Sequence, residues 1–209
     1  GVPPPIADLV PDAKITRFEV TIRPHTSWKL VWSSQDLPTR REGSVWAPEK
    51  LDSGLLAKNV ASLCCGHYGG RGLDPPSAGY VVQVTDPKGS STFSNKDLDA
   101  VLLMMCPHPV RYRRVWAKEG GPRGLYVWQP VPPSTDYAVL GMVATAGPDP
   151  PPLPAMRCVY RGWVVPAPDT PQLVWDDSGS VGQPGSLWQA SKMGLVVVTV
   201  GLDWVDDHG

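Results

Sequence analysis

Two pairs in the chain place a thiol and an imidazole two residues apart, Cys65 with His67 and Cys106 with His108. On strands, each pair would share one face, and four such ligands could complete a tetrahedral zinc site. Neither pair has the spacing of a zinc knuckle, and Cys106 falls where a helix should stop. Buried thiols and surface histidines are therefore expected, with no metal. Asp176, Asp177, Ser178 and Ser180 form an oxygen-rich turn, and Asp203, Asp206 and Asp207 cluster near the end. A calcium loop needs six or more oxygens in a set order, which neither stretch supplies, so both read as solvated turns. The four histidines, His25, His67, His108 and His208, are the candidate bases. No Gly-x-Ser-x-Gly elbow and no phosphate-cradling glycine loop accompanies them. The expectation is a protein that is not an enzyme and carries no cofactor.

The residues left for recognition are aromatic and basic. Trp32, Trp46, Trp116, Trp128, Trp175 and Trp188 recur in pairs that fit a core of facing strands, because large aromatics dominate burial in small β domains. Exposed beside proline, the same rings could instead cradle a Pro-rich peptide or stack on a sugar. Trp163 and Trp204 stand outside that pairing and are the surface binding candidates. Arg111, Arg113 and Arg114 around Tyr112, with Arg40 and Arg41, are the local basic clusters. Anionic lipid head groups could meet them at about 1 kcal/mol per charge, although solvated strand and loop residues would look the same.

The elements that must position these residues are hairpins. Val115-Trp116 and Val127-Trp128 bracket a Gly- and Pro-bearing turn. The same pattern surrounds Trp32 and Trp46 before it, and Trp175 and Trp188 after it. The paired tryptophans lie 14, 12 and 13 residues apart, whereas the copies start 84 and 59 residues apart. A hairpin held constant between tolerant connections marks an internal repeat, with copies at about 14–85, 108–160 and 171–204. Further strands are expected at Lys14 to Ile22, with a bulge because its apolar residues do not share one face, and at Gly79 to Thr85. Leu63 to Tyr68 should match Val139 to Ala144 as the next strand of its copy, and Ala155 to Tyr160 should form a short strand. Both matched strands run into Asp-Pro-Pro exits, which stop pairing by removing donors. Ser94 to Cys106 has a cap, an acidic first turn and apolar Leu98, Val101, Leu102 and Met105, so it predicts a helix that Pro107 ends. Glu49 to Val60 is a weaker helix candidate.

Bulk properties bound the rest. A net charge of −1 over 209 residues gives no global field toward nucleic acid. Twenty-five prolines and 21 glycines beside 42% hydrophobic residues predict short strands joined by turns rather than disorder. No apolar run approaches the roughly 20 residues that span a bilayer. The start of the chain lacks a secretory pattern, and four cysteines, two of them adjacent, fit a reduced cytoplasmic setting. Residues 1–12 read as linker or edge segment, and 13–209 as a single domain.

The central copy carries Trp116, Trp128, Pro130, Tyr137, Leu140, Gly141, Pro151, Pro152, Arg157, Cys158 and Val159 in an order that resembles the vacuolar protein sorting-associated protein 62 family. It also resembles the adaptor-binding repeats of the bridge-type lipid-transfer proteins of vacuolar sorting. The first copy shares Trp32, Trp46, Pro48, Gly66, His67 and Tyr68, and the third Trp175, its DDSGS turn and Trp188. The resemblance implies an all-β, non-enzymatic module that holds partner proteins in membrane trafficking. The resulting expectation is an all-β domain of three hairpin-based repeats, shaped as a β-prism or β-sandwich with at most one or two short helices. It would bind a protein partner, an adaptor or Pro-rich segment, in the cytoplasm or peripherally on vacuolar or endosomal membranes. The alternative is a membrane- or glycan-binding prism module, lectin-like or associated with a pore-forming protein.

Overall fold

The computed structural model describes residues 17–51, 59–89, 95–120, 123–178 and 182–204. In chain order the elements are β1 (Glu19–His25), β2 (Trp28–Ser33), β3 (Gly43–Pro48), β4 (Val60–Leu63), β5 (Tyr68–Arg71), β6 (Gly79–Thr85) and α1 (Lys96–Met105). There follow β7 (Arg111–Lys118), β8 (Leu125–Val131), β9 (Tyr137–Ala138), β10 (Val143–Thr145), β11 (Val159–Tyr160), β12 (Gln172–Asp176), β13 (Gly185–Ala190) and β14 (Leu195–Val200). The chain is mostly β with one α-helix among the described residues, in several sheets and without a closed barrel.

The Val-Trp pairs explain the hairpins. In β2–β3, β7–β8 and β12–β13 the ladder slips by one residue at the valine before the first tryptophan: between Leu30 and Trp32, Arg114 and Trp116, and Leu173 and Trp175. Such a bulge bends the strand and re-aims the next side chain. The re-aimed indoles of Trp32, Trp116 and Trp175 are fully buried in one cluster, with Trp175 4.9 Å from Trp32 and 6.2 Å from Trp116 between ring centroids. Each buries on the order of 200 Å2 of surface, about 5 kcal/mol of transfer free energy, far more than any one turn hydrogen bond contributes. The six tryptophans thus do not share one core. Trp46, Trp128 and Trp188, on the second strands, sit farther out and donate to hydroxyls of Ser44, Thr145 and Thr199, each at 2.8 Å.

A third strand follows each hairpin, β5, β10 and β14, and the three meet through a closed cycle of main-chain bonds. The His67 N–H donates to Met142 O (2.9 Å), the Met142 N–H to Val196 O (2.9 Å), and the Val196 N–H to His67 O (2.8 Å). This cycle corrects the match expected between Leu63–Tyr68 and Val139–Ala144 by one residue, since His67 corresponds to Met142 rather than to Val143. Gly66 makes it possible: at φ 147° it lies on the Gly141 backbone, where a Cβ would be 3.0 Å from Gly141 Cα. Leu63–Tyr68 is also not one strand, because β4 ends at Leu63 and β5 begins at Tyr68.

Sheet β1-β6-β4 packs its apolar face on α1. The helix is bounded as its sequence predicts: the Asn95 side chain caps the Leu98 N–H, and Leu98, Val101, Leu102 and Met105 are buried. Two expectations need correction. The expected bulge at Lys14–Ile22 is absent from the described part, since β1 pairs with β6 in unbroken register from Glu19 to His25; residues 14–16 lie outside the described residues. The strand expected at Ala155–Tyr160 shrinks to β11, because the N–H groups of Arg157 and Cys158 bond to the loop carbonyls of Cys64 and Pro107 instead of a ladder. Most of the helix candidate at Glu49–Val60 lies outside the described residues, and Val60 itself begins β4.

Candidate functional site

Strand β1 sits at the end of its sheet, paired along its whole length to β6 and to nothing on its other side among the described residues. Its register places Val20 opposite Val84 and Ile22 opposite Val82, while β4 sets Ala61 and Leu63 opposite the same two valines. Residues directly opposite share a face. Two apolar rows therefore run across the sheet, Val20-Val84-Ala61 and Ile22-Val82-Leu63, and α1 covers them. The cover stops short of β1. Exposure rises from 0% at Val84 to 38% at Val20, and from 5% at Val82 to 56% at Ile22. Pro24, farther along the strand, lacks an N–H, a residue that sheets tolerate only at an edge or a bulge.

The start of this edge is pinned electrostatically. The buried Asp86 carboxylate accepts from the Arg17 guanidinium, the Asn95 amide (2.9 Å) and the Lys88 N–H (3.1 Å), and Arg17 also pairs with Asp97 at 3.1 Å. The Arg17 hydrogen bond, with those of Asn95 and Lys88, outweighs burial and holds the Asp86 carboxyl down to about 2. Arg17 thereby ties the entry of β1 to the first turn of α1. This hub joins residues 69 and 9 positions apart, and no local pattern signals it.

A model of the vacuolar protein sorting-associated protein 62 family matches residues 12–193. The chain belongs to that family. A solved structure, GNIP1Aa from Chromobacterium piscinae, is similar at a TM-score of 0.63 and 19% identity, over 88% of this chain and 33% of that one. That likeness is of fold, and the chain spans about a third of the other protein's length. No curated protein matches the chain.

The other recognition candidates of this family member fall in separate places. Trp163 is half-buried on a turn after β11, edge-on to Tyr160 at 6.2 Å and packed on the α1 core. Trp204 is half-buried against Trp188 at 5.5 Å. Arg111, Arg113 and Arg114 are exposed on β7, where Arg113 bonds to the Gln129 side chain. The structure does not bring these five together with β1 into a single cleft. The solvated reading of the Asp176-Asp177 turn is corrected at Asp177, which is buried, accepts from the Gly185 N–H (2.9 Å) and pairs with Lys118 at 3.7 Å. Surface placement is likewise corrected for His67. It is buried, its Nδ1 accepts from the Ala144 N–H (3.1 Å), and burial pulls its pKa down to about 4. Among the described residues no three His, Cys, Asp or Glu side chains converge as a metal site, and no helix is long and apolar enough to cross a membrane.

Proposed function

We propose that this chain is a non-catalytic interaction module that receives an extended protein segment along the free edge of β1, in the vacuolar or endosomal trafficking setting the family's description suggests. The supporting observation is that the apolar rows of the α1 sheet end in half-open Val20 and open Ile22 on a strand whose outer edge is unpaired among the described residues. An added strand would continue the main-chain ladder, and its apolar residues, two apart, would extend both rows and cover these side chains. The partner is thus an adaptor-like chain offering an alternately apolar segment, and peripheral residence on the membrane would follow from that partner. His67, the one buried imidazole among the described residues, is committed to a backbone N–H, which supports a binding role over catalysis.

A photoreactive benzoylphenylalanine at position 22 tests this in cells. The expected product is an adduct with one protein. A synthetic peptide around the attachment point should bind the purified domain, and Ile22→Lys should weaken it by about tenfold or more, the equivalent of about 1.4 kcal/mol. Val165→Lys, at an exposed apolar residue elsewhere, should leave binding unchanged. Adducts with lipid alone, or a peptide indifferent to Ile22→Lys, would overturn the proposal. Flotation on phosphatidylserine vesicles that is lost on Arg111→Glu with Arg113→Glu would also count against it, in favour of membrane recognition.

A further inference from the structure

The third hairpin closes differently from the other two. Its second and third strands, β13 and β14, are joined by the four residues Ser191 to Gly194, whereas the corresponding connections in the other two units carry β4 and β9. The short turn needs left-handed backbone at both ends, Ser191 at φ 60° and Gly194 at φ 72°. Gly194 also lets the turn close on the Tyr68 ring, which a Cβ there would overlap. Between this turn, Tyr68 and the segment leading into β12 lies a cleft of about 250 Å3. That is below the roughly 300–1,000 Å3 of sites for drug-sized ligands, and suits a ligand of one ring.

The lining defines what that ring must be. Asp169 brings a carboxylate, Lys192 an ammonium, and Thr170 and Ser191 hydroxyls. Two glutamines enter with one end already fixed. The Gln189 Nε2 donates to Gly69 O (2.9 Å), leaving Oε1 as the acceptor, and the Gln172 Oε1 accepts from Arg71 (3.0 Å), leaving its NH2 as the donor. Tyr68 adds an aromatic ring braced by Trp28, 5.6 Å away, which in turn donates to His25 O at 3.0 Å. One carboxylate is too few for a hard cation, and one ammonium opposed by a carboxylate is a poor anion site. Donors and acceptors together beside an aromatic ring match a neutral molecule whose adjacent hydroxyls both give and take hydrogen bonds while its C–H groups lie on the ring.

We infer that the cleft between the Ser191–Gly194 turn and Tyr68 is a binding site for a neutral sugar, with Asp169 and Gln189 Oε1 accepting from adjacent hydroxyls and Tyr68 stacking on the pyranose. The site shares no residue with the β1 edge, so it is independent of the peptide reading, and each can fail alone.

The test is a titration of the isotope-labelled chain with methyl mannoside, methyl galactoside, methyl glucoside and N-acetylglucosamine, read by amide chemical shifts. One of these should saturate with a Kd on the order of 1–10 mM, as expected of a small ligand held by a few bonds. Its shifts should be confined to Tyr68, Asp169, Gln189, Ser191 and Gly194. Asp169→Ala, at an exposed position, should weaken it by about tenfold or more with the remaining amide spectrum unchanged. Lys192→Ala should weaken it less. No saturable shift with any of the four sugars would overturn the inference, as would binding indifferent to Asp169→Ala. Shifts at the same residues with inorganic phosphate, lost on Lys192→Ala and absent with sugar, would assign an anion site instead.

Discussion

Gly43 at the start of β3 lies so close to Trp175 that a methyl group on its Cα would stand 2.5 Å from Trp175 Cβ. Gly185 at the start of β13 meets the Trp116 indole in the same way, and Leu125 takes the corresponding place in β8 within the same cluster. Two first-strand indoles, Trp175 and Trp116, are therefore laid over the opening of a second strand from another hairpin, and these glycines are steric requirements of the tryptophan core. Gly43→Ala should destabilise the fold by about 1–3 kcal/mol, the usual cost of overpacking, and lower the melting temperature by roughly 3–10 °C for a chain of this length. Gly147→Ala, with no atom within 4 Å of the added methyl, should leave it unchanged. Equal melting temperatures for the two variants would refute the packing scheme.

His67 gives the fold a defined acid sensitivity. Burial pulls its pKa from 6.5 to about 4, and its Nδ1, as acceptor of the Ala144 N–H, must stay unprotonated. The unfolded chain binds this proton more readily than the folded one. Stability from the neutral ring is thus fully present above pH 6.5 and lost as pH falls from about 6.5 toward 4, at a limiting slope of about 1.4 kcal/mol per pH unit. Urea midpoints at pH 7, 6 and 5 should fall accordingly, and His67→Asn should flatten that trend. A trend that persists in the variant would place the proton elsewhere.

What the sequence revealed follows from the range of each signal. The Val-Trp hairpins, the strand Gly79–Thr85 and the helix with its Asn95 cap are written in residues within one or two turns of each other, and all are found. The one-residue offset between His67 and Met142 was hidden, because Gly66 and Gly141 reveal their role only when their backbones meet at the cycle of third strands. The β1 site was hidden for a related reason. Val20 and Ile22 alternate as any strand does, and their exposure shows only once β1 is placed at the end of its sheet. Asp177 reads as one of several turn acids until Lys118, from a different hairpin, is seen beside it.

Asp86 carries a second, more acidic dependence. Its carboxyl is held at about 2 against an ordinary 3.8, so its contribution is complete above about pH 3.8 and disappears as pH falls toward 2, below the range in which His67 acts. Asp86→Ala removes the shared acceptor of Arg17, Asn95 and the Lys88 N–H and should cost about 1–3 kcal/mol. It should also release β1 first, because Arg17 stands at the entry to that strand. Amide exchange that accelerates across Glu19–His25 more than across β13 would show this. Uniform acceleration would mean that Asp86 supports the whole fold and not this edge.

The cysteines bear on whether the Cys-x-His spacing can serve a metal ion. Cys64, Cys65, Cys106 and Cys158 are all buried free thiols. Burial pushes Cys64 and Cys158 up to about 11 and Cys106 to about 12, and raises Cys65 well above the ordinary value. Zinc needs thiolates, and these thiols resist losing their protons; His67, the imidazole paired in sequence with Cys65, already holds the Ala144 N–H. At pH 8 a thiol at 11 has roughly 100- to 250-fold less thiolate than a free cysteine. A disulfide-exchange reagent should therefore modify the folded chain at least about 100-fold more slowly than the urea-unfolded chain, which should yield four equivalents. Prompt reaction of one thiol in the folded chain, or zinc that survives dialysis in stoichiometric amount, would show that the cluster opens to solvent and that spacing, not burial, governs its chemistry.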